Sequence, residues 1–175
     1  GQFLATRPDI IGEEMAKSLE TLQDKVPAFD LYEAKKVIKK EIGEKQFQNI
    51  IEISEPIAAA SIAQVHIAKI KNENKEKEVA IKILRPEIER LFNEELDALM
   101  LFAYIVENTF TKAKRLKLVE VVYLLREITN IEMDLRFEAA AANELFENTR
   151  NDLGFNVPKI YWNYTTKKVL TLDKV

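Results

Sequence analysis

Residues 50–84 carry the pattern that most constrains the fold: a run of period two set between segments of helical period. Ile62 to Ile70 alternates apolar and polar side chains, as a half-buried strand does, and Glu78 to Leu84 reads as the next strand. Lys71-Asn72-Glu73-Asn74-Lys75-Glu76-Lys77 between them reads as a loose, charged hairpin loop. Upstream, Ile50-Ile51-Glu52-Ile53 is β-like, Pro56 interrupts it, and Ala58-Ala59-Ala60-Ser61 is a turn of small residues. Three strands joined by such short connections must be antiparallel.

The flanks repeat at three- and four-residue steps. Ile11, Met15, Leu19, Leu22 and Val26 mark a helix over residues 10–25 that Pro27 ends. Asp30 offers a cap to a second helix, Leu31 to Ile42, closed by Gly43, and a helical turn follows over Glu44 to Asn49. After Pro86 the helical pattern runs to about Phe110, and it returns over Leu118 to Thr129 and Met133 to Asn148. Phe102, Tyr104 and Phe110 are expected in the core. Asn151 to Gly154 break the last helix. Val157 to Tyr161 and Lys168 to Leu172 read as two short strands around a turn at Asn163 to Thr166. The fold class is α+β.

Composition narrows the function. Of 175 residues, 31% are charged with a net charge of −3, which argues against a nucleic-acid surface of clustered Lys and Arg. The hydrophobic share of 47% is enough for a sizeable core. There is no cysteine and a single histidine, His66, so thiolate and histidine metal sites are not expected; His66 reads as structural. The longest apolar run, Ala98 to Val106, has nine residues, short of the roughly 20 a membrane-crossing helix needs. The chain opens Gly1-Gln2-Phe3 without an initiator Met, so upstream sequence is expected.

The motif richest in chemistry is Val79-Ala80-Ile81-Lys82 on the third strand. A protein kinase holds its nucleotide lysine in such a strand, where the rigid backbone presents an ammonium to the α- and β-phosphates. Where a kinase has a glycine-rich loop, this chain has Ala58-Ala59-Ala60-Ser61. Small residues let backbone N–H groups approach a phosphate, yet alanine reaches positive φ less cheaply than glycine, so the loop is expected to be stiffer. A tight turn packed under a helix is the other reading. Glu132, Asp134 and Glu138 read either as a solvated acidic face or as partners of a lysine; Asp134 and Glu138 are four apart and repel unless paired. Lys112, Lys114, Arg115 and Lys117 form a basic cluster, read either as a solvated loop or as a contact for anionic lipid headgroups.

Taken together, Ala58-Ala59-Ala60-Ser61-Ile62-Ala63-Gln64-Val65-His66, Val79-Ala80-Ile81-Lys82 and Arg85-Pro86 resemble the alanine-rich loop and nucleotide lysine of the UbiB (AarF/ADCK-type) family of atypical kinases. Gly1-Gln2 resembles the tail of the family's K-x-G-Q motif, Glu132-Met133-Asp134 its E-x-D motif, and Glu138 its helix glutamate. The resemblance implies a protein-kinase-like N-lobe with a five-stranded antiparallel sheet and additional N-terminal and inserted helices. It implies a helical extension over residues 1–49 and the lobe over residues 50–175, ending near the hinge. Ala58, Ala59, Ala60 and Ser61 would cover nucleotide phosphates, Lys82 would contact them, and Glu138 would orient Lys82. Gly1, Gln2, Glu132 and Asp134 would belong to an element that occludes the active site against protein substrates. The family implies ATP or ADP with magnesium in the complete protein, a role in ubiquinone biosynthesis, and peripheral placement on the cytoplasmic side of a bacterial inner membrane or its mitochondrial equivalent. Anionic lipid and ubiquinone-biosynthesis proteins are the partners implied.

The sequence holds neither an H-x-D-x-x-x-x-N loop nor a D-F-G motif, so no catalytic or metal-binding residue is expected within it. Its end, Thr171-Leu172-Asp173-Lys174-Val175, resembles the strand that leads into a kinase hinge, with the C-lobe expected beyond. The alternative is a truncated lobe, catalytically inactive, that holds nucleotide or a partner without turnover.

Overall fold

The computed structural model describes residue 13 and residues 27–72, 75–152, 154 and 156–174. Of the expected helix over residues 10–25 only Glu13, which is helical, is among them. The chain divides into two compact units: one runs to Arg85 and includes Lys174, and the other is Pro86–Asp173.

The first unit is a helix on a three-stranded meander. Helix α1 spans Leu31–Ile42 and α2 Glu44–Phe47. Asp30 caps α1 as expected, its Oδ1 accepting from the Tyr32 N–H at 2.6 Å. Gly43 separates the two helices at φ 83° and ψ 161°, a backbone region essentially reserved for glycine. Ala34, Ile38 and Ile42 recur every four residues, and this buried stripe of α1 faces the sheet.

The strands are β1 (Ile50–Ala59), β2 (Ala63–Asn72) and β3 (Lys75–Leu84), with β1 antiparallel to β2 and β2 to β3. Two expectations are corrected. Pro56 does not interrupt β1; the strand passes through it with register shifts between Ile53 and Pro56 and between Pro56 and Ala58. A residue without an N–H is tolerated there because β1 pairs only with β2 among the described residues. The charged segment is not a loose loop either. The ladder continues through Lys71↔Glu76 to Asn72↔Lys75. Lysine and glutamate stand opposite each other at Lys71↔Glu76 and Lys69↔Glu78, so these charges support the pairing they were expected to end.

The second unit is mainly helical: α3 (Ile88–Thr109), a 3-10 turn (Ala113–Leu116), α4 (Leu118–Glu132) and α5 (Leu135–Thr149). Leu96 and Ala103 of α3 pack with Val122 of α4, flanked by Met100, Leu118 and Val119. The narrow stripe Leu96–Met100–Ala103 is the buried seam. Phe102, Tyr104 and Phe110 fall off it and are exposed, at 61, 62 and 60%, which overturns their expected place in the core. Strand β4 (Val169–Asp173) closes the unit after a 3-10 turn at Trp162–Tyr164. The expected strand at Val157–Tyr161 is reduced to one bridge, Ile160 to Leu172. The described residues thus hold four strands, not the expected five.

Candidate functional site

Across the meander, Ala58 pairs with Val65 and Val65 with Lys82. Directly opposed residues share a face, so these three side chains lie in one row. The other face carries Gln64, His66 and Ala68 opposite Ile83, Ile81 and Val79, all buried. Lys82 is therefore on the more open face, half-buried, with its backbone fixed in the ladder on the β2 side.

The alanine-rich segment is half strand and half turn. Ala58 and Ala59 remain in the ladder, opposite Val65 and Gln64, and the turn proper is Ala60 to Ile62. The Ala60 N–H donates to the Ala63 carbonyl at 2.8 Å and closes the turn. The non-glycine residues with positive φ among the described residues are Glu87 and Lys117, so this turn is built without left-handed backbone and alanine suffices. Ala58, Ala60 and Ser61 are exposed. A half-buried lysine on the same face of the meander as a turn of small, exposed side chains is a donor set that fits a chain of phosphates.

Glu132, Asp134 and Glu138 are brought together in the second unit. With Ile131, Leu135 and Phe137 they line a surface cavity of about 320 Å³. Glu132 ends α4, Asp134 is the N-cap of α5, and Glu138 lies in the first turn of α5. Asp134 does two jobs. Its Oδ1 accepts from the Arg136 N–H at 3.1 Å and from Arg136 Nε at 2.9 Å, and its Oδ2 accepts from Arg136 Nη2 at 2.6 Å. These bonds hold the Asp134 carboxyl below its ordinary range. Arg136 was not singled out from the sequence, although an acid at a helix start with an arginine two residues on was the available signal. Lys82 belongs to the first unit and Glu138 to the second. Gly1 and Gln2 lie outside the described residues.

His66 is structural in a stronger sense than expected. Its Nδ1 lies 2.8 Å from the Ser54 carbonyl and its Nε2 2.9 Å from Gln64 Nε2. A carbonyl only accepts, so Nδ1 carries the proton and Nε2 accepts from the Gln64 amide. The ring is fully buried, and burial pushes its pKa below the ordinary 6.5. Among the described residues no three acidic or histidine side chains converge to hold a metal ion, and no helix is long and apolar enough to cross a membrane.

An antiparallel meander bearing a strand lysine beside a small-residue turn, with helices before and after it, is an architecture of the kinase-like class. The family profile described as the ABC1 atypical kinase-like domain matches residues 21–175, and the chain belongs to this family. Among its relatives, a protein named probable protein kinase UbiB from Marinobacter nauticus is 39% identical over all of this chain. Proteins of the same name from Azotobacter vinelandii and Cellvibrio japonicus are 37% and 35% identical, again over all of it. The chain spans 32% of the Marinobacter and Azotobacter proteins and 31% of the Cellvibrio protein, so it corresponds to about a third of their length.

Proposed function

We propose that this chain is the phosphate-binding part of a UbiB-type, ATP-using kinase-like protein. The observation that carries the reading is the row Ala58–Val65–Lys82, which aligns the small-residue turn with a lysine in a chain of this family. In this reading Ala58, Ala59, Ala60 and Ser61 cover the phosphates and Lys82 contacts them. Glu138 orients Lys82 through a charge-assisted bond of about 2.7–2.9 Å when nucleotide is bound. Because Ala60 spends its N–H inside the turn, the donors left for phosphate are the Ser61 and Ile62 N–H groups and the Ser61 hydroxyl. Bound magnesium would neutralise phosphate charge during transfer, as it does in kinases generally.

Glu132 and Asp134 then face the element that contains Gly1 and Gln2, which restricts entry to the site. The role of the whole protein in ubiquinone biosynthesis is part of the same proposal, as is its peripheral placement on the cytoplasmic side of a membrane. Lys112, Lys114 and Arg115 are exposed beside exposed Phe110 and Leu116, which favours contact with anionic lipid.

The test is a titration of the 175-residue chain with ADP and ATP, with and without magnesium, against Lys82→Ala. Saturable binding that the variant loses is expected, with no steady-state phosphate release from either protein. Equal binding by both proteins would remove Lys82 from the site. Magnesium-dependent turnover that Lys82→Ala abolishes would instead place catalytic groups within these residues, Glu132 and Asp134 first.

A further inference from the structure

Two side chains from the meander and its end, Gln64 and Arg85, converge on one stretch of backbone just ahead of α1, and a third, His66, backs Gln64. Gln64 holds residue 29 at both ends: the Phe29 N–H donates to Gln64 Oε1 at 2.9 Å, and Gln64 Nε2 donates to the Phe29 carbonyl at 3.1 Å. A side-chain amide thus pairs with a backbone residue as a neighbouring strand would. The orientation of that amide is fixed from behind, because His66 Nε2, with the ring proton on Nδ1, accepts only an N–H. Gln64 is 1% exposed and His66 0%, so neither has water as an alternative partner.

Arg85, just past the end of β3, makes the second half of the arrangement. Its Nε donates to the Ala60 carbonyl at 3.0 Å and its Nη1 to the Pro27 carbonyl at 3.0 Å. Its guanidinium carbon stands 5.9 Å from the centre of the Phe29 ring, within cation–π range. The Arg85 backbone N–H also donates to the Ile62 carbonyl at 2.9 Å. One residue therefore holds both ends of the Ala60–Ile62 turn and, through the same planar group, the Pro27–Phe29 segment. A guanidinium spans two carbonyls in this way with fixed angles, whereas the three donors of an ammonium rotate on a single nitrogen and fix no such angle.

We propose that Arg85, backed by the Gln64–His66 pair, is a positioning residue for the phosphate turn: it sets the geometry of Ala60–Ile62 by tying it to the Pro27–Phe29 segment. The inference rests on the reading that this turn binds nucleotide phosphate. It adds that affinity depends on a side chain that holds the turn without itself supplying a phosphate donor. The Ala60 carbonyl and N–H are both committed, so the Ser61 and Ile62 donors sit on a turn anchored at each end. Without the Arg85 side chain the turn keeps its internal bond, Ala60 to Ala63, and the backbone bond from residue 85 to the Ile62 carbonyl, and loses the guanidinium that ties the Ala60 carbonyl to the segment ahead of α1. A turn free to sample several geometries must be ordered when phosphate binds, and affinity falls accordingly.

The experiment uses the full 175-residue chain and the variants Arg85→Lys, Arg85→Ala and Lys82→Ala. Two quantities are measured: the dissociation constant for a fluorescent ADP analogue, and amide hydrogen exchange at residues 27–30 and 60–63. Arg85→Ala is expected to weaken binding about tenfold, the loss of a charged group's hydrogen bonds expressed as affinity. It is also expected to speed exchange at both segments together, while the interior of β3 stays protected. Arg85→Lys, which keeps the charge but loses the planar fork that fixes the two bond directions, is expected to stay folded and to show the same paired change in smaller measure. Faster exchange at only one segment in both Arg85 variants, or unchanged affinity where both segments loosen, would overturn the proposal. If Lys82→Ala leaves ADP binding intact, the phosphate-site reading fails by itself. The exchange data then still decide whether Arg85 ties the two segments together.

Discussion

At the scale of single residues, what a side chain can do is set by the partners the fold brings to it. His66 is the clearest case: one histidine in a strand reads as a core residue, and only the fold shows that Ser54 sets its tautomer and Gln64 uses its acceptor. The pH dependence follows. Burial holds the folded pKa below 6.5, so the unfolded chain binds the proton first as the solution is acidified. The stabilisation is complete above pH 6.5 and declines as the pH falls through that value toward the lower folded pKa. Urea unfolding midpoints measured from pH 7.5 to 5.5 should therefore fall more steeply for this chain than for His66→Gln. Equal slopes would mean that the ring titrates normally. Asp134 gives the second prediction. Asp134→Asn keeps a side chain able to cap α5, whereas Asp134→Ala loses both the cap and the Arg136 pair. The alanine variant should be less stable than the asparagine variant by about 1 kcal/mol in equilibrium unfolding. If the two are equal, the cap contributes nothing.

At the scale of elements, the helices were legible because their signals are local. The cap at Asp30, the stop at Gly43 and the four-residue spacing of Ala34, Ile38 and Ile42 all sit within one stretch of chain. The strands were harder. Lys71 and Glu76 look like loop residues until they stand opposite each other, and that pairing is a property of two segments at once. Val157–Tyr161 has the composition of a strand, yet its ladder is a single bridge because formation depends on a partner's register. Gly43 allows a clean test at this scale. A Cβ there would meet nothing within 4 Å, so the cost of Gly43→Ala is conformational alone. At φ 83° and ψ 161° that cost should be about 1–3 kcal/mol, read as a drop in unfolding free energy with α1 disrupted at its end. A neutral substitution would mean that the α1–α2 junction rearranges freely.

At the scale of the whole molecule, the described helices leave large apolar side chains exposed. On α4 alone Val121, Tyr123, Leu124, Leu125, Ile128 and Ile131 are between 41 and 60% exposed. Contiguous exposed apolar faces drive association. Light scattering should show the 175-residue chain self-associating as concentration rises, and Tyr123→Glu with Leu124→Lys should suppress this without lowering the thermal midpoint. Unchanged association would put the contact elsewhere. Sequence reasoning assigned exposed aromatics such as Phe102 and Tyr104 to the core because helical periodicity says which residues share a face, not how wide a seam the neighbour covers. The meander points the other way. Pro56 removes a donor from β1, and the register shifts on either side of it break the even spacing that a foreign strand would need to dock. The outer rim of β1 is thus a poor template for cross-β growth. Aggregates of this chain should be amorphous and helical in character, failing to bind thioflavin, whereas Pro56→Val would open that rim to fibril formation.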